Sequence, residues 1–217
     1  MKKQQEIVEN LEIDDRVMYV PPKQAFCTLK DTKPNFNVDP KCRLINPTKV
    51  EIGKISQKIL TRVVSDVKEK TGLKLWKNTD AVIDWFENLQ NKNQLKFVSF
   101  DIQDYYGSIS EDLFTEAINW ARGITNISDD EMEVIFKAKT SLLYDGKSLW
   151  KRRGAKSNFD IAMGSWDGAE STDVVGLFLL SKLSKVKVGN CEINVGIYRD
   201  DCLLVCRLTP RQTQKLT

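Results

Sequence analysis

The sequence predicts an α+β chain in which helices cover one face of an antiparallel sheet. Two observations carry this. Short apolar runs at Leu95–Phe100, Glu192–Tyr198 and Cys202–Leu208 read as strands, and the last two are close enough to form a hairpin. Longer segments with apolar residues at helical spacing separate the first run from the other two, so the order is strand, helices, basic insert, helix, hairpin.

Residues 1–20 read as a short helix or frayed lead-in, and residues 21–50, rich in Pro, Asn and Lys, as loops around short strands such as Cys42–Ile45. A helix is expected from Glu51 to about Lys70, because Ile52, Ile55, Ile59, Leu60 and Val63 recur at helical spacing and Gly72 stops it. A second helix should follow Asn78-Thr79-Asp80, with Val82, Ile83, Phe86 and Leu89 on its apolar face. Ser110, followed by Glu111 and Asp112, opens a helix through Trp120. Ser128-Asp129-Asp130-Glu131 caps another over Met132–Lys139. Residues 140–160 read as a basic hairpin-like stretch, Met163–Gly168 as a loop and Ala169–Leu183 as a strongly apolar helix.

Composition narrows the chemistry. The 217 residues hold 33 Lys+Arg, 30 Asp+Glu and no histidine, which excludes imidazole-based hydrolysis and metal or haem sites that need His. The five cysteines are odd in number and contain no C-x-x-C, so Cys202 and Cys206 are expected to be small core residues on one strand face. Any metal therefore has to sit on carboxylates or thiolates, and of the two the carboxylates are favoured. The first ten residues contain no hydrophobic stretch and no run is long enough to span a membrane, so an intracellular protein, in cytoplasm or nucleus, is expected.

The net charge of +3 hides segregation. Residues 23–77 carry 13 basic and 5 acidic side chains, and residues 137–156 carry 7 and 1. Basic blocks alternating with acidic ones suit a polyanionic partner touched by some segments while others hold metal ions. Gly146-Lys147-Ser148 is not a phosphate loop, since Ser141 stands where its first glycine belongs.

Three aspartates stand at strand ends: Asp101 after Phe97-Val98-Ser99-Phe100, and Asp200 with Asp201 after Gly196-Ile197-Tyr198-Arg199. Each is ordinary alone, because Asp favours turns. Gathered at one sheet edge they repel, and a cation relieves the repulsion. Mg²⁺ suits the task, since it takes one or two carboxylates and completes its shell with water and substrate phosphates.

These residues also form a recognisable set. Phe100-Asp101-Ile102-Gln103-Asp104-Tyr105-Tyr106, Met163-Gly164-Ser165-Trp166-Asp167-Gly168 and Tyr198-Arg199-Asp200-Asp201 resemble motifs A, B and C of reverse transcriptases, in the family's order. Pro40-Lys41-Cys42-Arg43-Leu44-Ile45-Asn46-Pro47 looks like the basic fingers strand before motif A, and the resemblance covers about residues 25–210. It implies a right-hand polymerase palm plus fingers with no thumb: fingers and lead-in over 1–96, palm over 97–122, a fingers insert over 123–159 and palm again over 160–217.

The implied activity is RNA-directed DNA polymerisation by a retroelement enzyme. Asp101, Asp200 and Asp201 would hold two Mg²⁺ ions, or Mn²⁺ in their place, for transfer of dNTPs to a primer 3′-OH. Arg43, Lys30 and Lys41 would neutralise the triphosphate, with Ile102 also at the nucleotide. Gly164 would admit the templating base pair, although Met163 replaces the Gln common before that glycine. Tyr106 matches the family's steric gate, which leaves no room for a ribose 2′-OH. Lys151, Arg152 and Arg153 would touch the nucleic-acid backbone. The implied partners are an RNA template, a DNA or RNA primer and further domains of the same reading frame. Two alternatives stand beside this reading: an RNA-directed RNA polymerase, and an inactive remnant that only binds nucleic acid.

Overall fold

The computed structural model describes residues 24–32, 35–47, 51–140, 143–150, 157–188 and 191–206. The expected lead-in over 1–20, the end of the last apolar run (207–208) and the basic trio Lys151, Arg152 and Arg153 lie outside them.

The chain begins with an antiparallel pair, β1 (Phe26–Leu29) and β2 (Cys42–Ile45). Helix α1 (Glu51–Thr71) follows, ended by Gly72 at φ +72°, a left-handed conformation that favours glycine. Helix α2 (Thr79–Glu87) is capped by the Asn78 side chain, which accepts from the N–H of Ala81. Strand β3 (Lys96–Asp101) leads through a single helical turn, α3 (Tyr105–Ser108), into α4 (Glu111–Arg122), capped by Ser110. Helix α5 (Asp129–Lys137) carries a complete Ser128/Glu131 capping box, so the acidic trio forms its first turn and does not precede it.

The basic stretch is a small hairpin, β4 (Leu143–Tyr144) with β5 (Leu149–Trp150), turning at Gly146 with φ +96°. Helix α6 (Gly168–Leu183) comes next. The strand expected from Glu192 is divided: β6 (Lys187–Val188) pairs with β7 (Cys191–Glu192), and β8 (Asn194–Tyr198) forms the hairpin with β9 (Asp201–Cys206). Asp201 is thereby the first residue of a strand, and only Arg199 and Asp200 make the turn.

The central sheet has the order β3-β9-β8 and is antiparallel throughout, confirming the α+β class with helices against one face. Strand alternation turns Cys202, Leu204 and Cys206 toward Leu180 of α6, so both cysteines are core residues. On its other side α6 meets α1 and α4, where Leu60, Val63, Phe114, Ile118, Val175 and Leu177 are fully enclosed. Being packed on several sides explains why α6 is apolar around most of its circumference. Helix α5 joins the same core through Ile135, and Arg62 of α1 grips Glu131 through two hydrogen bonds of 2.8 and 2.9 Å.

The apolar face of α2 is covered only in part: Leu89 just past the helix is buried and Val82 half-buried, whereas Ile83 is 48% and Phe86 42% exposed. Phe86 meets Phe97 of the sheet edge, with ring centroids 5.8 Å apart, and carries the Lys92 ammonium 5.5 Å from its ring centroid. No helix among the described residues is long and apolar enough to cross a membrane.

Candidate active site

The register of the central sheet assembles the acidic end. Asp101 and Asp201 are directly opposite each other in the β3–β9 ladder, so their side chains share one face. The N–H of Ile102 donates to the carbonyl of Asp200 at 2.9 Å, which carries the pairing one step past the strand. The two chain segments that carry the aspartates are therefore locked together by backbone. All three carboxylates are exposed, Asp101 accepts from Gln103 Nε2 at 3.0 Å, and those of Asp200 and Asp201 take no hydrogen bond or ion pair among the described residues.

The carboxylates face a cleft of about 1360 Å³. Its lining includes Lys30, Lys41 and Arg43 of the β1–β2 hairpin together with Ile102, Tyr106 and Met163. The hairpin is tied to the last of these by the N–H of Asn46, which donates to the carbonyl of Met163 at 2.9 Å. Of the site residues the sequence predicts, the cleft collects Asp101, Asp200, Asp201, Lys30, Lys41, Arg43, Ile102 and Tyr106. Gly164 is not among its walls. Its glycine character has a local cause, φ +107° and a would-be Cβ 3.0 Å from Ile45 and 3.3 Å from the carbonyl of Asn46.

Exposed carboxylate oxygens are the donor type that Mg²⁺ takes. Among the described residues, Asp101, Asp200 and Asp201 included, no three His, Cys, Asp or Glu side chains are grouped so that they could hold a metal ion by themselves. The crowding of negative charge also registers on a neighbour. Burial, then Asp201, Asp200 and Asp101, push the Cys202 thiol up to about 11.

Two arrangements escaped sequence reasoning. The first surrounds the turn. Arg199 has φ +57°, and its Nη1 donates to Tyr106 Oη and Thr172 Oγ1, both at 2.7 Å. The buried Tyr105 donates its hydroxyl to the Thr172 carbonyl at 2.9 Å, and burial holds its pKa above the ordinary tyrosine range. The second lies behind the cleft, where Lys139 and Ser56 both donate to Asp167 Oδ2, joining α1, the end of α5 and the start of α6. Lys139 and Asp167 are 1% exposed, and burial lowers the lysine pKa against the pull of Asp167. A lysine two residues from another in a basic stretch gives no sequence signal that it is enclosed.

Comparison with family models and with curated protein sequences finds no match. Solved structures do share the fold. Apo telomerase from Candida tropicalis superposes with a TM-score of 0.63 at 12% identity, over 99% of this chain and 44% of that one. The same enzyme truncated from its C-terminal domain gives 0.59 at 14% identity, over 99% and 50%. The RNA-dependent RNA polymerase of a human picobirnavirus gives 0.57 at 12% identity, over 88% and 37%. The chain thus has a polymerase-like α+β fold and spans half or less of the length of these structures.

Proposed function

We propose that this chain is the catalytic part of a template-directed nucleic-acid polymerase, and that it copies RNA into DNA. One observation carries the reading: on a polymerase-like fold, Asp101 and Asp200-Asp201 are brought to one end of a three-stranded sheet, in one cleft with Lys30, Lys41 and Arg43. Exposed carboxylates in one cleft with cations suit a substrate that is a polyanion accompanied by metal ions.

Asp101, Asp200 and Asp201 would hold Mg²⁺ in this reading. The bound ions supply Lewis acidity to a primer 3′-OH and charge neutralisation to the departing pyrophosphate. The protein's own contribution is positioning. The β3–β9 ladder fixes the backbone that carries Asp101 and Asp201, Arg43 with Lys30 and Lys41 attracts the triphosphate, and Tyr106 forms the cleft wall against which the sugar is checked. No imidazole is required, in keeping with a chain that has none.

The choice of DNA as product rests on Tyr106, since a ring at that wall leaves no room for a 2′-OH. The likeness to the picobirnavirus enzyme supports a second reading, an RNA-directed RNA polymerase. Retroelement origin, an intracellular site of action and completion by further domains of the same reading frame belong to the first reading. Primer extension on an RNA template with Mg²⁺ tests both. Extension with dNTPs that is lost in Asp200→Asn is expected; preferential use of NTPs selects the second reading, and extension that survives the substitution sinks the assignment of the carboxylates.

A further inference from the structure

We propose that Arg199 is the positioning residue that holds Tyr106 against the nucleotide sugar, so that sugar selection is coupled to the turn carrying the carboxylates. The inference rests on the polymerase reading above and deepens it. It begins with backbone. Arg199 occupies the left-handed region, which non-glycine residues enter rarely, at the turn position immediately before Asp200. That conformation directs the side chain inward to α6, where the guanidinium is half-buried.

The hydrogen bonds there leave little choice of arrangement. Thr172 spends its own hydroxyl proton on the carbonyl of Ala169 at 2.7 Å, so toward Arg199 it can only accept. Nη1 has two protons, and the second goes to Tyr106 Oη. Nη2 lies 3.9 Å from Asp173 Oδ1, which keeps the charge compensated. Both Nη1 protons of Arg199 are therefore committed within the protein. Tyr105, next in sequence, is anchored to the carbonyl of the same Thr172, and the two rings meet edge-on with centroids 6.2 Å apart.

Tyr106 is thus clamped at both ends, by its backbone in α3 and by Arg199 at its hydroxyl, while its ring lines the cleft. A ring so held cannot retreat from a 2′-OH. Released from Arg199, it could swing aside and admit a ribonucleotide. The clamp originates one residue from Asp200, so a displacement of the turn moves the metal ligands and the sugar wall together.

The test is primer extension on an RNA template with dNTPs and NTPs in competition, using wild type, Arg199→Met, Arg199→Lys, Tyr106→Phe and the Arg199→Met/Tyr106→Phe double variant. Loss of one charge-assisted hydrogen bond should lower the preference for dNTPs about tenfold in Arg199→Met and equally in Tyr106→Phe. The double variant should fall no further than either, and Arg199→Lys should keep most of the preference. Should Arg199→Met fail to fold, Tyr106→Phe, which removes only the hydroxyl, still decides. Unchanged preference in Tyr106→Phe, or effects that multiply in the double variant, overturns the clamp while wild-type extension leaves the polymerase reading standing. A wild type that extends with neither nucleotide sinks that reading and the clamp with it.

Discussion

Asp167 and Asp201 carry the same side chain in opposite circumstances. Asp167 is enclosed, shares its Oδ2 with Lys139 and Ser56, and stitches three helical segments together. Asp201 is exposed beside two further carboxylates and has no partner among the described residues. Taking a charge out of water is tolerable only when the fold supplies a counter-charge and hydrogen bonds, which is what surrounds Asp167. Leaving like charges together at a sheet end stabilises nothing in the unliganded protein, so the arrangement at Asp101, Asp200 and Asp201 makes sense for a ligand that arrives from outside. The first site should therefore govern stability and the second activity.

The largest break between them is expected from Asp200→Asn. Primer extension should fall by about a thousandfold, roughly 4 kcal/mol of transition-state stabilisation, and chelation of Mg²⁺ should reproduce the loss. The melting temperature should hold or rise, because repulsion is relieved; a variant that loses activity by unfolding would erase the distinction. Asp167→Ala should do the reverse. Stranding the buried Lys139 charge is expected to cost about 3–5 kcal/mol in urea unfolding, and Lys139→Met combined with Asp167→Leu should recover much of it.

A smaller effect sharpens the same contrast within the sheet. The ring of Trp76 lies against Gly196, so Gly196→Val has to displace it, at a cost of about 1–3 kcal/mol in chemical denaturation. The smallest effect is a pH slope. Cys202 keeps its proton up to about 11 in the folded chain, against 9.0 for an unperturbed thiol. Between those values the unfolded chain has lost a proton that the folded one retains, so stability should fall as pH rises from 9 to 11. The slope should shrink in Asp201→Asn, which removes the largest charge acting on the thiol.

Much of this was legible locally. Asn78, Ser110 and Ser128 cap the helices their chemistry announces, and Gly72 ends α1 as its spacing requires. Such signals act within a few residues. The face of α2 shows where locality stops: Val82, Ile83 and Phe86 make an apolar stripe, but a stripe does not name its partner, and the structure leaves much of it open. Arg199 was visible as a turn residue, whereas its partner Tyr106 stands 93 positions earlier.

By itself, then, the sequence determined the elements, their order, the α+β class and the inventory of carboxylates without imidazole, because capping, periodicity and turn chemistry are short-range. Tertiary structure alone decided that Asp101 sits opposite Asp201, that Lys139 meets Asp167 and that Arg199 reaches Tyr106. Those pairings depend on strand register and helix packing across about a hundred residues in the first and last cases. The energy that selects them lies in the shared core of α1, α4, α5 and α6 and the sheet packed on it, which no single segment encodes.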